Sequence, residues 1–167
     1  ERKTEIKTFE NIVATKVVVA SKKLYVNKAE GFIGTSLRKD EYVCDCSDID
    51  DIIAFKKDGT FMVSKVDSKV FMGKDIIHCA VFKKKDRRTV YNMIYKDGKT
   101  GINYIKRFSV IGISRNKDYS LTKTDKGSKV LYFTANPNGE AELVSINLRA
   151  LKKLKKLKFD FDFSELA

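Results

Sequence analysis

Short runs of apolar and β-branched residues, each interrupted by a glycine-containing turn, recur along the chain. These runs cover residues 22–37, 51–66, 89–110 and 129–148, and their turns are Glu30-Gly31, Asp58-Gly59, Asp97-Gly98 and Asn138-Gly139. Asp-Gly and Asn-Gly pairs readily adopt the positive φ angles that two-residue hairpin turns require. The pattern therefore predicts four β-hairpins.

The spacing of these turns indicates a repeated unit. The turn glycines are separated by 28, 39 and 41 residues. The last two intervals match a four-stranded propeller-type blade of about 40–45 residues. Apolar stretches at 75–82 and 108–113 are suited to complete such blades. Pro137 falls within a turn, where it interrupts no predicted strand.

The end of the chain carries two competing patterns. Four leucines recur at every third position, namely Leu148, Leu151, Leu154 and Leu157. That spacing is compatible with a short amphipathic helix. Phe159, Phe161 and Phe163 then alternate strictly with charged residues, which is a strand pattern. We interpret this part as a basic connector leading into a strand, so the predicted fold class is all-β.

Charge narrows the possible partners. The 167 residues include 34 Lys and Arg against 22 Asp and Glu, giving a net charge of +12. Such a balance favours a polyanion, either DNA or RNA or less readily an anionic membrane face, although a merely solubilising surface is the alternative. No apolar run approaches the roughly 18–20 residues of a membrane span, and the charged start does not resemble a signal peptide. Three cysteines suit a reducing compartment. We expect a soluble, cytoplasmic protein without a membrane partner, and the missing initial Met suggests an excerpt of a longer chain.

An acidic stretch and a set of thiols are two candidate metal sites. The acidic residues are Asp40, Glu41, Asp45, Asp48, Asp50 and Asp51. Their carboxylates suit Mg²⁺ or Ca²⁺, but the spacing of a calcium loop is missing, so we interpret them as a solvated loop between strands. Cys44, Cys46, His78 and Cys79 match tetrahedral zinc in number. His78 and Cys79, however, are neighbours in a predicted strand and should point to opposite faces. We therefore expect buried thiols and no metal.

Catalytic signatures are missing from the sequence. His78 is the single histidine and has no serine elbow or acidic partner, and no phosphate-binding glycine loop occurs. The basic residues are more informative because many fall in loops or at strand ends. The predicted DNA contacts are Lys83, Lys84, Lys85, Arg87, Arg88, Lys106, Arg107, Arg115 and Lys117. A second basic group follows at Lys152, Lys153, Lys155, Lys156 and Lys158. Cations lined up on blade edges suit a phosphate backbone without base reading.

Several segments carry a resemblance to a known family. They are KKLYVNKAEGFIGTSL, DEYVCDCSDIDDIIAF, KVFMGKDIIHCAVFKKKDRRTVYNMIYKDGKTG, KRFSV and GSKVLYFTANPNGEAELV. From about residue 9 to 166 the chain resembles the C-terminal region of topoisomerase IV A subunits, which stand with the gyrase A subunits among the bacterial type IIA topoisomerases. The resemblance implies a β-pinwheel, a propeller-like disc whose blades exchange strands. Four hairpins imply a partial disc of three to four blades, with residues 1–167 as one region and the remainder beyond Ala167.

The resemblance also implies a function. In the family the disc binds and bends duplex DNA and presents the transported segment for strand passage by an ATP-dependent isomerase. The implied partners are double-stranded DNA and the topoisomerase IV B subunit in a heterotetramer close to the nucleoid. The QRRGGKG loop of gyrases does not occur here, which favours relaxation and decatenation over negative supercoiling. The catalytic tyrosine would lie upstream of Glu1, and ATP and Mg²⁺ would belong to the holoenzyme, so this segment is expected to be non-catalytic and without its own cofactor.

Two other classes of function stay open at the level of sequence. A propeller-like protein-interaction module would use the positive charge against an acidic protein surface. A metal-dependent phosphodiesterase would need the carboxylates of Asp48 and Asp50 to converge on a cation.

Overall fold

The computed structural model describes residues 22–124, 126–150 and 155–166. Within these ranges the chain forms thirteen strands and one short 3-10 turn. The strands are β1 (Lys22–Asn27), β2 (Phe32–Gly34), β3 (Glu41–Cys46), β4 (Asp51–Lys56), β5 (Thr60–Lys65), β6 (Val70–Phe71), β7 (Ile76–Phe82), β8 (Val90–Lys96), β9 (Asn103–Phe108), β10 (Tyr119–Ser120), β11 (Lys129–Asn136), β12 (Leu143–Asn147) and β13 (Lys158–Asp162), and the turn is Phe163–Glu165. The predicted all-β class is confirmed.

The strands assemble into four antiparallel sheets. Sheet 1 has the order β3-β1-β2-β6, sheet 2 the order β10-β5-β4-β7, sheet 3 the order β11-β8-β9, and sheet 4 contains β12 and β13. Each sheet is built around a hairpin of two consecutive strands, and in the first three sheets a later strand pairs with the first strand of that hairpin. The first three sheets therefore repeat one unit, a hairpin with a third strand paired to its first strand.

Neighbouring sheets exchange strands. Strand β6 follows the hairpin of sheet 2 but pairs with β2 of sheet 1, where Phe71 is opposite Phe32. Strand β10 follows the hairpin of sheet 3 but pairs with β5 of sheet 2, where Tyr119 is opposite Phe61. This exchange makes the arrangement a partial β-pinwheel, as the sequence predicted.

The residue after each exchanged strand forms a backbone hydrogen bond to the hairpin turn of the sheet that the strand joins. The N–H of Met72, directly after β6, donates to the carbonyl of Gly31 at 2.8 Å, and the N–H of Leu121, directly after β10, donates to the carbonyl of Gly59 at 2.9 Å. Gly31 has φ +80°, and a Cβ there would fall 2.1 Å from the carbonyl oxygen of Gly73. Glycine is required at this turn because the next unit approaches it so closely.

Strand β4 has a continuous run of apolar residues because both of its faces are buried. In β4, Ile52 and Ala54 belong to the core between sheets 1 and 2. Ile53 and Phe55 belong to the core between sheets 2 and 3, where the Phe55 ring centre is 4.7 Å from that of Tyr91. Because successive side chains of a strand point to opposite faces, a sheet between two neighbours needs a continuous apolar run.

The predicted hairpins over 22–37 and 51–66 are confirmed by the pairing of β1 with β2 and of β4 with β5. Their turns are longer than the predicted two residues, since four residues separate Asn27 from its partner Phe32 and three separate Lys56 from Thr60. The third hairpin also forms, and its turn differs most from the predicted two residues. Lys96 pairs with Asn103, so six residues connect the strands, and Gly101 rather than Gly98 adopts a positive φ of 69°. The Asp97 carboxylate accepts from the Thr100 N–H at 2.9 Å and closes the wider loop.

The predicted hairpin over 129–148 is wrong. A turn does form, with the Gly139 N–H donating to the Asn136 carbonyl at 3.1 Å. However, β11 pairs with β8 in sheet 3, whereas β12 pairs with β13 in sheet 4, so the turn passes the chain from one sheet to the next. The stretch 108–113 is likewise no strand of its own, because β9 ends at Phe108 and the exchanged strand is β10.

The end of the described chain contains the predicted strand. Strand β13 covers Lys158–Asp162, and Val144 and Ile146 of β12 are opposite Phe161 and Phe159. Leu151 and Leu154 of the alternative helical pattern, together with Lys152 and Lys153, lie outside the described residues.

Candidate nucleic-acid interface

The loop between β7 and β8 presents five cations on a framework built by Asp86. The Asp86 carboxylate accepts from the Arg88 N–H at 2.9 Å and from the Thr89 hydroxyl at 2.8 Å. The Arg88 backbone hydrogen bond, followed by the Thr89 hydroxyl, lowers the pKa of Asp86, so its carboxylate stays ionised at neutral pH. The backbone of Lys85, at φ +67°, donates to Ile111 at 3.0 Å. All five cations are exposed: Lys83, Lys84, Lys85, Arg87 and Arg88.

Arg115 is held beside this loop by Asp51. Its Nε lies 2.8 Å from Asp51 Oδ1, and its Nη2 donates to Oδ2 at 3.2 Å, so the ion pair carries one hydrogen bond. Asp51 is opposite Phe82 in β7 and opposite Lys65 in β5. Because Phe82 directly precedes the basic loop, Arg115, Lys65 and the loop share one end of sheet 2.

We call this surface the basic edge. It comprises Lys65, Lys83, Lys84, Lys85, Arg87, Arg88, Arg115 and Lys117, all of them exposed. Lys117 lies at its border: the neighbouring Asn116 N–H donates to Val63 in the middle of β5 at 2.7 Å, and the Lys117 ammonium is 5.6 Å from the centre of the Tyr119 ring. Sequence reasoning missed Lys65. Its position near the end of the predicted hairpin 51–66 could have indicated an exposed cation. In the structure Lys65 ends β5 and is opposite Asp51.

Lys106 and Arg107, predicted as further DNA contacts, lie between sheets. Lys106 is opposite Met93, on the side of sheet 3 that faces sheet 2, and its ammonium donates to the Leu121 carbonyl at 2.9 Å. Burial lowers the pKa of Lys106. Arg107 points to the other side, and its Nη2 donates to the Gly139 carbonyl at 2.8 Å. Both cations therefore serve internal contacts, and their DNA contacts stay predictions.

The acidic stretch forms the predicted loop only in part. Glu41–Cys46 is strand β3, because its residues pair with β1 across sheet 1, whereas Asp48 and Asp50 lie in the turn between β3 and β4. The carboxylates also have separate partners, as in the 2.7 Å pair of Glu41 with Lys28 and the 2.5 Å pair of Asp48 with Lys22. Within residues 22–124, 126–150 and 155–166, no group of three or more His, Cys, Asp or Glu side chains is placed to hold a metal ion.

His78 and Cys79 point to opposite faces of β7, as predicted. His78 is opposite Phe55 and faces sheet 3, whereas Cys79 is opposite Ala54 and belongs to the core towards sheet 1. All three thiols are free, and burial raises the pKa of Cys79 to about 12. Such a thiol is a small core residue rather than a nucleophile or metal ligand.

A cavity of about 410 Å³ opens below the basic loop, between β7 and sheet 3. Its lining includes His78, Tyr91 and Pro137 together with the cations Lys83 and Arg88. The His78 Nε2 atom is buried there without a hydrogen-bond partner among the described residues, and burial lowers the pKa of the imidazole. The histidine is thus held neutral among aromatic rings.

The strand-exchanged sheets and the basic edge define the protein as a partial β-pinwheel with one strongly cationic end. Comparison with known proteins places it further: the chain belongs to the family of topoisomerase C-terminal domains described for Bacteroidota, whose sequence model matches residues 23–167. It is also similar to the A subunit of DNA topoisomerase 4 from Borreliella burgdorferi, with 25% identity over 138 residues. That alignment covers 82% of this chain and 22% of the relative, so the chain spans about a fifth of that protein's length. No solved structure matches the chain. No helix in the described part of the chain is long and apolar enough to cross a membrane.

Proposed function

We propose that this domain binds and bends duplex DNA as the C-terminal part of a topoisomerase IV A subunit. The observation that supports the proposal is the basic edge, where eight exposed cations converge on one end of sheet 2 from three separate segments of the chain. Family membership makes DNA the natural polyanion for such a surface.

The carboxylates at the basic edge do not cancel its charge. Two carboxylates offset only part of the charge of the eight cations: Asp86 lies 3.9 Å from Arg88 Nε, and Asp51 pairs with Arg115. Lys84, Lys85 and Arg87 form no ion pair among the described residues, so their charges are available to phosphates. Long flexible cations without an ordered hydrogen-bonding partner suit backbone contacts, which position a duplex without reading its sequence.

Bending follows if the duplex engages cations on more than one sheet. Bending a site of 20–30 base pairs by 40–90° costs on the order of 1–6 kcal/mol, which additional phosphate contacts must offset. Lys155, Lys156 and Lys158, all exposed on the approach to sheet 4, are candidates for those contacts. In the holoenzyme the bent segment would be presented for relaxation or decatenation. The strand-breaking tyrosine, ATP and Mg²⁺ would belong to other parts of the assembly that this chain forms with the B subunit, in the cytoplasm.

Duplex binding is tested by fluorescence anisotropy across a salt series. A triple variant, Lys84→Glu with Lys85→Glu and Arg87→Glu, should lower affinity strongly and reduce the slope of log K against log salt by about 0.9 for each phosphate that is no longer neutralised. The control is Lys57→Glu with Lys74→Glu, two exposed lysines near the opposite, hairpin-turn end of sheet 2. An equal loss of binding free energy per reversed charge in both variants would show that only the overall charge matters, and salt-independent binding would contradict the proposal.

Bending is tested separately by ligating nicked circular DNA in the presence of the protein. A bent and wrapped duplex should shift the linking number after ligation, and the triple variant should abolish the shift. Binding without any shift would exclude a wrap of defined handedness and leave DNA attachment with at most a planar bend. If the chain bound an acidic protein and no duplex, the protein-interaction alternative would replace the proposal.

A further inference from the structure

The outer face of sheet 1 carries an aromatic surface that has no role in the core. We call it the aromatic face; its rings belong to Tyr25, Phe32, Tyr42 and Phe71. Register places all four on one side, because Tyr25 is opposite Tyr42 and Phe32 is opposite Phe71. Within the described chain none of the four belongs to the core clusters, and Tyr42 and Phe71 are 50% and 55% exposed.

The rings form two adjoining pairs. The centres of Tyr25 and Tyr42 are 6.0 Å apart with nearly perpendicular planes, and those of Phe32 and Phe71 are 5.3 Å apart. The Tyr42 hydroxyl donates to Asp45 at 3.0 Å, which fixes the ring at the sheet surface. Large rings held open to solvent on a β-sheet are costly for a protein without a ligand for them.

Cations lie among these rings. The Lys69 ammonium is 4.2 Å from the centre of the Phe32 ring. A cleft of about 460 Å³ beside Tyr25 is lined by Lys22, Lys23, Thr35 and Arg38, without a carboxylate. Lys22 is paired with Asp48, whereas Lys23, Lys69 and Arg38 form no ion pair among the described residues. The nearby carboxylate of Glu41 is neutralised by Lys28 at 2.7 Å.

We propose that the aromatic face binds single-stranded DNA, with bases stacked on its rings and phosphates held in the cationic cleft. Exposed rings on a sheet surface interleaved with Lys and Arg are the physical requirements of a base-stacking platform. A duplex cannot use this face, because its bases are already stacked on one another. The inference therefore goes beyond duplex binding at the basic edge and concerns a different surface.

The test measures anisotropy of a labelled oligothymidylate with the full chain at about 150 mM salt, where surface charge alone is well screened. Phe71→Ala and Tyr42→Ala should each weaken binding about 10-fold, since stacking contributes roughly 1–3 kcal/mol per base. Tyr42→Phe keeps the ring and should bind as the parent does. Phe71→Leu keeps apolar area without a ring and should lose as much affinity as Phe71→Ala.

The matched control is Leu143→Ala, which removes a side chain that is 71% exposed on sheet 4, at the other end of the row of sheets. It should leave oligothymidylate binding unchanged, and thermal melting of every variant checks that folding is intact. The same measurements with oligouridylate show whether the face distinguishes DNA from RNA; binding confined to RNA would overturn the proposal.

Other occupants of the face give other results. If a second copy of the chain covers it, Phe71→Ala should change the sedimentation of the free protein while DNA binding stays the same, which contradicts the proposal. If single strands bind only through the basic edge, the Lys84, Lys85 and Arg87 variant should abolish oligothymidylate binding and Phe71→Ala should not, which also contradicts it. Duplex binding at the basic edge would survive either outcome.

Discussion

The basic loop at 83–88 and the Lys106-Arg107 pair consist of the same residue types but occupy opposite environments. The loop lies at the end of sheet 2, where its cations are exposed and its framework depends on Asp86. Lys106 and Arg107 are inside β9, one on each side of sheet 3, and each donates to a backbone carbonyl of a neighbouring segment. Cations at a strand end are free for an external anion, whereas cations within a strand between sheets hold the sheets together.

Arg107→Met should give the largest loss of stability. The Gly139 carbonyl would lose its charged donor, and a hydrogen bond to a charged group typically contributes about 1.5–3 kcal/mol. We expect the free energy of unfolding, measured by urea denaturation, to fall by about 2 kcal/mol. Duplex affinity should stay nearly unchanged.

The matched control is Arg87→Met in the exposed loop, which should change stability by less than about 0.5 kcal/mol and weaken duplex binding. If Arg107→Met weakened DNA binding as much as Arg87→Met does, the division between loop and strand cations would fail, and the DNA contact predicted for Arg107 would stand.

This contrast also shows what the sequence can and cannot reveal. The continuous apolar run of β4 and the glycine turns at Gly31 and Gly59 follow from local chemistry, and these hairpins were predicted correctly. The exchanged strands β6 and β10 are two residues long, so no periodicity marks them. Whether Lys106 meets solvent or a carbonyl depends on register and on the neighbouring sheet. Loop position predicted the exposed part of the candidate site, and strand residues escaped prediction because their surroundings are set by distant segments.

A third internal cation, Lys56, extends the contrast to sheet 2. The side chain of Lys56 is only 11% exposed, and its ammonium is 2.7 Å from the half-exposed carboxylate of Asp118. Asp118→Ala should lower the free energy of unfolding by about 1.5 kcal/mol, because it leaves a mostly buried charge without its partner.

The double variant Lys56→Met with Asp118→Ala also removes the unpaired ammonium of Lys56. It should therefore recover most of the stability that Asp118→Ala loses. Urea denaturation of the two single variants and the double variant completes a cycle. A double variant as unstable as Asp118→Ala would show that the ion pair is not the cause.

Asp51→Asn sharpens the comparison at the basic edge itself. It removes the carboxylate that holds Arg115, whose side chain is about half exposed. Asp51 itself is only 15% exposed, but the charge that this variant leaves without a partner is on the half-exposed Arg115, which water can solvate, so stability should fall by less than about 1 kcal/mol. With one negative charge fewer beside the basic loop, duplex affinity should rise about twofold, corresponding to about 0.5 kcal/mol. Anisotropy should show this gain at low salt and its loss at high salt; a fall in affinity would mean that Asp51 positions Arg115 for DNA.

The smallest expected change in stability concerns His78, which lines the cavity below the basic loop. Its imidazole makes the free energy of unfolding depend on pH. Burial, and then the positive charge of Lys28, lower the pKa of its imidazole in the folded protein. The unfolded chain, with a histidine pKa of about 6.5, therefore binds a proton that the folded protein does not take up, and stability is lost as the pH falls below about 6.5. His78→Phe, which fits among Phe55, Tyr91 and Phe133, should remove this part of the pH dependence in urea denaturation between pH 7.5 and 5. A variant that loses as much stability over that interval as the parent would show that the imidazole takes up a proton equally in the folded and unfolded states, and hence that burial does not lower its pKa.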